Sequence, residues 1–357
     1  MENEIGVDQS GNLVIAGHTI YSFDIVPNNF PDMVGMINTD SVKVRMHNIV
    51  SPTIPTDAKV EMSVKHDQKN DTFLLVFGGW TPCLFIKNNT ILLVDRNVVS
   101  EIVSRYKNGE KKNNSPLDSF DDIFLHNNKV SIDITAFVIE GNERKIPDNS
   151  MIDEQIENVT KSLKSALPKL KITKYQNGNN YYYCFRDYLS SSIKKRMDFF
   201  ENIAPKINKQ FTEKSRCLAV KQVFSAAEEF KLNKTDIAVI LALLRITMVG
   251  KKTAAQLVIK DSQIYNEDKS YNAACDLAAL ELLFNLNRFH IDRKSDYNVS
   301  FITKDKGLAL LSSLFSNAEV DGSDGESLSI NATIIGTVFG DDEDLIKTYQ
   351  DWFSGKV

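Results

Sequence analysis

The sequence is poor in the residues that build metal-thiolate sites and disulfide frameworks. It has 357 residues with only four cysteines and five histidines. The cysteines are Cys83, Cys184, Cys217 and Cys275, and no two of them show C-x-x-C spacing. This pattern argues against a zinc site or a disulfide-stapled fold, and it is typical of a protein that works in a reducing cytoplasm.

Several other sequence signals are also missing. No run of 18 or more apolar residues occurs, so we expect no membrane span. The first residues, MENEIGVDQSGN, are acidic and polar, which is not typical of a secretory signal. H-E-x-x-H, G-x-S-x-G and G-x-x-x-x-G-K-[ST] are all absent. Their absence counts against zinc hydrolases, serine hydrolases and P-loop enzymes.

The charge of the chain is unevenly distributed. The net charge is −5, yet residues 160–222 hold 14 basic side chains against four acidic ones. Residues 318–357 reverse this balance, with nine acidic side chains against Lys347 and Lys356. A basic region within an acidic chain indicates a polyanionic partner.

The basic region also carries tyrosines, so it predicts binding of RNA or another single-stranded nucleic acid. Lys and Arg neutralise phosphates, and aromatic rings stack on unpaired bases. A hairpin across Asn177–Gly178 is a further expectation for this region. In the alternative interpretation, the tyrosines pack within a strand and the lysines line a solvated helix face. The candidate contacts are Tyr181, Tyr183, Lys194, Lys195 and Arg196.

Hydrophobic patterning divides the chain into four parts. Residues 1–88 read as a β-rich module. Residues 89–149 and 235–316 alternate buried strands with helices, which predicts an α/β core with a parallel sheet flanked by helices. Residues 150–234 read as a basic helical insertion, and residues 317–357 as an acidic C-terminal segment.

Four carboxylates lie at related places in the α/β core. Asp95 ends the buried strand TILLVD, and Asp305 ends the buried strand VSFITKD. Glu140 closes the helix after the second strand, and Asp276 is expected near the start of a later helix. The carboxyl ends of parallel strands meet along one edge of a sheet, so these side chains can converge. Clustered carboxylates need a cation, for which Mg²⁺ or Mn²⁺ is the natural choice.

Each of these acids also has a local interpretation that the sequence leaves open. Asp95 can cap the helix that follows it, and Asp305 can belong to a turn. Asp276 can stabilise the first turn of its helix. Glu140 is harder to explain locally, because an acid is unfavourable at a helix C-terminus and this one follows the apolar run ITAFVI.

The segments ILLVDRNVVSEI, ITAFVIEGN, CDLAALELL and VSFITKDKGLALL come in an order that resembles PIN-domain nucleases. The resemblance covers roughly residues 90–145 and 235–315. It implies a metal-dependent nuclease in which Asp95, Glu140, Asp276 and Asp305 bind one or two Mg²⁺ or Mn²⁺ ions and carry the catalysis. It also implies that Asn97 and Thr303 support these acids. Standalone nucleases that look like this one often act as toxins or in defence against phage.

The sequence departs from this family in two ways. Arg96 stands where the family usually has a small or hydroxyl residue, and the stretch between Glu140 and Asp276 is longer than usual. A guanidinium beside Asp95 could take the place of the ion. The alternative hypothesis is therefore a catalytically inactive PIN-like protein that binds a protein partner or a second copy of itself. A third is an unrelated interaction protein with an incidental α/β core.

Overall fold

The structure, a computed structural model, describes most of the chain. The described residues are 5–8, 12–26, 34, 39, 41–65, 72–126, 130–248, 253–260, 264–315, 319–320, 328–329, 336 and 338–356. Much of the acidic segment 317–357 therefore lies outside the described residues.

The strands fall into two N-terminal sheets, one central sheet and two short hairpins. They are β1 (Ile5–Val7), β2 (Leu13–Ile15), β3 (His18–Ile20), β4 (Ser22–Val26), β5 (Ser41–Val50), β6 (Val60–Lys65), β7 (Phe73–Val76), β8 (Gly79–Thr81), β9 (Thr90–Val94), β10 (Tyr106–Lys107), β11 (Glu110–Lys111), β12 (Val130–Asp133), β13 (Asn298–Thr303), β14 (Glu319–Val320) and β15 (Leu328–Ser329). Strands β1–β3 and β4–β6 form antiparallel three-stranded sheets, as the alternating pattern of the N-terminal residues predicts.

The central sheet is mixed, with the strand order β12–β9–β13–β7–β8. Strands β12, β9 and β13 are parallel, whereas β7 is antiparallel to β13 and β8 is antiparallel to β7. The predicted α/β class with a sheet flanked by helices is confirmed, whereas the sheet is mixed and only partly parallel. Residues 73–81, which the sequence analysis placed in the N-terminal module, supply two strands of this sheet. The boundary at residue 88 therefore does not follow the edge of the sheet.

Helices cover both sides of the central sheet. They are α1 (Arg96–Arg105), α2 (Ser119–Asp121), α3 (Thr135–Glu140), α4 (Asn149–Ala166), α5 (Asn180–Ile207), α6 (Glu213–Glu229), α7 (Ile237–Thr247), α8 (Ala254–Val258), α9 (Glu267–Asp292), α10 (Lys306–Ser312) and α11 (Glu343–Phe353). In the part of the chain that the structure describes, none of these helices is long and apolar enough to cross a membrane.

The region predicted as a helical insertion contains α4, α5 and α6, so its helical character is confirmed. The hairpin expected across Asn177–Gly178 is wrong. These two residues lie in a turn, and α5 begins three residues after Asn177. The tyrosine run therefore belongs to the first turns of a helix.

Strand β9 shows why the central sheet is buried on both faces. Ile91 and Leu93 pack into one hydrophobic core, whereas Leu92 and Val94 pack into a second core on the other face. This alternation accounts for the continuous apolar run that predicted a doubly buried strand. The N-terminal sheets contribute to the first core, in which the rings of Phe23 and Phe85 meet edge to face at 6.2 Å.

Candidate functional site

Two parallel strands of the central sheet end on an aspartate that caps the next helix. After β9, Asp95 Oδ1 accepts a hydrogen bond of 2.7 Å from the backbone N–H of Val98 in α1. After β13, Asp305 Oδ1 accepts one of 2.9 Å from the backbone N–H of Leu308 in α10. Both aspartates are thus N-caps, and Asp305 is more than a turn residue. Because β9 and β13 are adjacent and parallel, the two caps lie at the same edge of the sheet.

Thr303 links these two aspartates. Its hydroxyl donates a hydrogen bond of 2.9 Å to Asp95 Oδ2 and accepts one of 3.0 Å from the backbone N–H of Asp305. The side chain of Thr303 is fully buried. Asn97, the other expected supporting residue, has an exposed side chain and contributes to Asp95 through its backbone N–H.

Glu140 and Asp276 approach the same place from two helices. Glu140 is the last residue of α3, and its carbonyl oxygen accepts a hydrogen bond of 2.8 Å from the Tyr271 hydroxyl of α9. Asp276 lies in the third turn of α9 because that helix begins at Glu267, so the expectation that it lies near a helix start is wrong. This position removes the local explanation of Asp276 as a first-turn acid.

A crevice brings three of these acids together. Asp95, Glu140 and Asp276 line it, and the remaining lining is largely apolar. The other lining residues are Ala136, Ile139, Leu189, Cys275, Ala278, Ala279, Leu282 and Phe301. Three carboxylates therefore share a crevice whose other lining residues offer them no charged partner.

Burial and neighbouring charges raise the pKa values of the three acids that line the crevice. Burial raises the pKa of Asp95 to about 6 against the hydrogen bonds from Val98 and Thr303, and the charge of Asp305 adds to the rise. Burial also raises the pKa of Glu140 to about 7, with Arg96 opposing and Asp95 reinforcing this shift. The pKa of Asp276 lies well above its usual range because of burial, followed by the charges of Asp305, Glu140 and Asp95. The four acids thus share one electrostatic environment.

Arg96 contacts Glu140 and not Asp95. Its Nε lies 3.7 Å from Glu140 Oε1, and its Nη1 donates a hydrogen bond of 2.7 Å to Asn142 Oδ1. Its Nη2 donates to the carbonyl oxygen of Gly141, and its guanidinium lies 4.9 Å from the centre of the Phe137 ring. The cation expected beside Asp95 therefore neutralises a different acid of the cluster.

The acids supply the oxygen ligands that a hard divalent ion needs, but they are not grouped around one position. All four supply carboxylate oxygens, the ligands that Mg²⁺ and Mn²⁺ prefer. Burial, together with the charges of neighbouring acids, raises the pKa of Asp95, Glu140 and Asp276. Among the described residues, however, no three His, Cys, Asp or Glu side chains are grouped so that they could hold a metal ion. The carboxylates are neighbours that do not converge on one point.

The expected nucleic-acid contacts divide into two groups. Arg196 is buried between Asp236, at 3.1 Å, and Glu281, at 2.7 Å, so it is not available to a nucleic acid and this part of the prediction is wrong. Lys194 is exposed and Lys195 is half-buried on the same helix, α5.

The tyrosines pack against the protein, as the alternative interpretation predicted, but they do so from a helix and not from a strand. Tyr181 stacks on Tyr175 with ring centres 3.4 Å apart. The Tyr183 hydroxyl donates to the carboxylate of Asp153. These side chains pack against the protein, which leaves the exposed lysines to carry the prediction of nucleic-acid binding.

Two residues at the site were not singled out from the sequence. The Tyr271 hydroxyl holds the end of α3 in place, and Cys275 lines the crevice next to Asp276. They lie one helical turn apart on α9, so the i, i+4 spacing that places them on one face was visible in the sequence. What it did not show is that this face meets α3.

No protein-family model, curated protein or solved structure matches the chain. The resemblance to PIN-domain nucleases consequently depends on the four sequence segments alone.

Proposed function

We propose that this protein is a metal-dependent nuclease that hydrolyses phosphodiester bonds in RNA or another single-stranded nucleic acid. The observation that carries the proposal is that acids from two strand ends and two helices lie near one sheet edge. Burial raises the pKa of Asp95, Glu140 and Asp276 there, and the charges of neighbouring acids add to each rise. A group of carboxylates of this kind is stable in the ionised form when a cation neutralises it.

In this proposal Asp95, Glu140, Asp276 and Asp305 hold one or two Mg²⁺ or Mn²⁺ ions. Such an ion, when bound, stabilises developing negative charge on the phosphoryl group and lowers the pKa of a bound water. Asp95 keeps its orientation through the Val98 N–H and the Thr303 hydroxyl. The apolar residues that line the crevice lower the local dielectric around the acids, which strengthens their interaction with a cation.

Lys194 and Lys195 are the proposed contacts to the substrate's phosphates. They are the accessible members of the predicted basic set, since Arg196 is committed to an internal ion pair. Their role is to attract and hold the strand through charge, independent of its sequence.

Asp95→Asn tests the proposal directly. Asn is as good an N-cap as Asp, so helix α1 keeps its cap while the site loses a carboxylate. We expect wild-type protein to cleave single-stranded RNA with Mn²⁺ or Mg²⁺ and to stop when EDTA is added. We expect Asp95→Asn to reduce the cleavage rate at least about a hundredfold, since even outer-shell changes at metal sites cost tenfold to a hundredfold.

Asp292→Asn is the matched control, because it makes the same chemical change at an exposed acid that pairs with Arg288 at the end of α9. It should cleave at the wild-type rate. Equal cleavage by Asp95→Asn and wild type would show that the acids do not carry the reaction.

The second candidate is a binding protein that has lost catalysis. The pairing of Arg96 with Glu140 favours it, since an internal cation already neutralises one of the four acids. This candidate predicts no cleavage with any divalent ion, together with binding of RNA, of a protein partner or of a second copy of the chain. Gel-shift and sedimentation measurements on the protein used in the cleavage assay separate the two.

A further inference from the structure

We propose that Arg96 is a built-in cation that competes with a divalent metal ion for Glu140, so that the metal binds only as the guanidinium gives up this carboxylate. The inference depends on the metal site of the proposed function and adds a means of regulating it.

Contacts on several sides hold Arg96 in position. The guanidinium lies over the Phe137 ring, donates to Asn142 Oδ1 and to the Gly141 carbonyl, and places Nε 3.7 Å from Glu140 Oε1. The Gly141 and Asn142 acceptors directly follow Glu140 in the chain. The guanidinium is thus fixed beside one acid of the cluster by groups that are not part of the cluster.

The Glu140 contact is the weakest of these and the easiest to break. A separation of 3.7 Å is longer than a charge-assisted hydrogen bond, whereas the contact to Asn142 is 2.7 Å. The side chains of Arg96 and Glu140 are 31% and 29% exposed, so either can turn towards solvent. Glu140 can therefore be released without the loss of the other Arg96 contacts.

Competition follows from charge. A carboxylate that faces a guanidinium has part of its negative charge compensated, so a metal ion gains less from binding it. The same contact explains why the acids are neighbours without converging, because Glu140 is directed towards Arg96 while Asp95 is held by Val98 and Thr303.

Titration calorimetry with Mn²⁺ on the full chain tests this inference. In Arg96→Gln we expect the affinity for Mn²⁺ to rise about fivefold or more, because the competing charge is gone. Arg96→Lys keeps the charge but loses the forked hydrogen bonds, and its affinity should stay within about twofold of the wild type. Arg288→Gln removes one exposed positive charge at the far end of α9 and should leave the affinity unchanged.

The Glu140→Gln background identifies the carboxylate involved. If Arg96 acts through Glu140, adding Arg96→Gln to Glu140→Gln gives no further gain in affinity. A gain of the same size in that background would overturn the assignment to Glu140.

Other outcomes overturn the inference as a whole. One is an affinity for Mn²⁺ that is unchanged or weaker in Arg96→Gln while its circular dichroism and melting temperature match the wild type. The others are equal affinities for Mn²⁺ in Arg96→Lys and Arg96→Gln, and no Mn²⁺ binding by any variant. RNA cleavage by the same samples judges the nuclease proposal separately. Protein that binds Mn²⁺ with the expected order of affinities but cleaves nothing keeps this inference and loses the proposed function.

Discussion

Asp95 uses its two carboxylate oxygens for two different tasks. Oδ1 caps helix α1 through the Val98 N–H, and Oδ2 accepts from Thr303, whose hydroxyl also holds the Asp305 backbone. A single buried hydroxyl therefore couples the two strand ends. Replacement of Asp95 by Asn removes the charge while the cap survives. It also removes the acceptor of the Thr303 hydroxyl, so the unfolding free energy of this variant is measured beside its cleavage rate.

Glu140 gives a prediction of pH dependence at the residue scale. Its pKa is about 7 in the folded protein against 4.5 for an unperturbed group. As the pH rises from about 4.5 to about 7, the unfolded chain loses this proton before the folded chain does. In the absence of divalent ions, the contribution of this carboxyl to the unfolding free energy is therefore fully present below a pH of about 4.5. It is lost as the pH rises to about 7.

We expect the wild type to lose up to about 3 kcal/mol of unfolding free energy relative to Glu140→Gln across this window. Urea unfolding of both proteins at a series of pH values measures the difference. Glu143→Gln, at an exposed position in the next loop, should follow the wild-type profile. Parallel profiles for wild type and Glu140→Gln would contradict a raised pKa of this carboxyl in the folded protein.

At the scale of the elements, helix α5 places basic side chains in two different environments, one exposed to solvent and one buried between other helices. Lys194 is exposed, whereas Arg196, two residues later, is buried between Asp236 at the start of α7 and Glu281 in α9. Asp236 Oδ1 also caps α7 by accepting from the Ala238 N–H at 2.8 Å. One guanidinium thus joins three helices.

We expect Arg196→Ala to lower the unfolding free energy by about 3–5 kcal/mol, because it leaves two buried carboxylates without their counter-charge. Chemical denaturation measures this change. Lys194→Ala, on the exposed side of the same helix, is the control and should change stability by less than about 0.5 kcal/mol. A similar small change in both variants would mean that the buried ion pair contributes nothing net.

Strands and helices with a strong local pattern were predictable from the sequence. Hydrophobic periodicity predicts the buried strand β9 and the helices of residues 150–234 to within a few residues. Capping chemistry predicts the cap at Asp95. The burial of Arg196 was not predictable, because a count of charges treats both faces of a helix alike. Its partner Glu281 is also remote in the sequence.

The site was predictable only in outline. The rule that parallel strand ends share one edge places Asp95 and Asp305 together. It could not show that Arg96 reaches Glu140 or that Asp276 enters from the third turn of its helix, since both depend on how α3 and α9 pack on the sheet.

At the scale of the whole molecule, opposite charges occupy different regions of the chain. The net charge is −5, but ten of the 14 basic side chains of residues 160–222 lie in helices α4–α6 and the acidic segment includes α11. A polyanion approaching the protein therefore meets a non-uniform field, and the exposed lysines of α5 should dominate the attraction.

We expect Lys194→Ala to weaken binding to single-stranded RNA and to reduce the slope of log affinity against log salt by about 0.7, the value for one phosphate contact on a single strand. Fluorescence anisotropy at several salt concentrations measures this slope. Lys347→Ala removes the same charge from α11 and should leave the slope unchanged. Equal slopes for all three proteins would move the binding surface away from α5.

The position of β13 has a consequence for the protein as it is synthesised. This strand, at residues 298–303, lies between β9 and β7, which precede it by about two hundred residues. Until β13 emerges from the ribosome, both earlier strands have an unpaired edge, which is a point of vulnerability to aggregation. The chain also lacks Thr303 and Asp305 until that moment. A growing chain therefore cannot assemble the acid cluster, and any activity of that cluster begins only once most of the protein has been made.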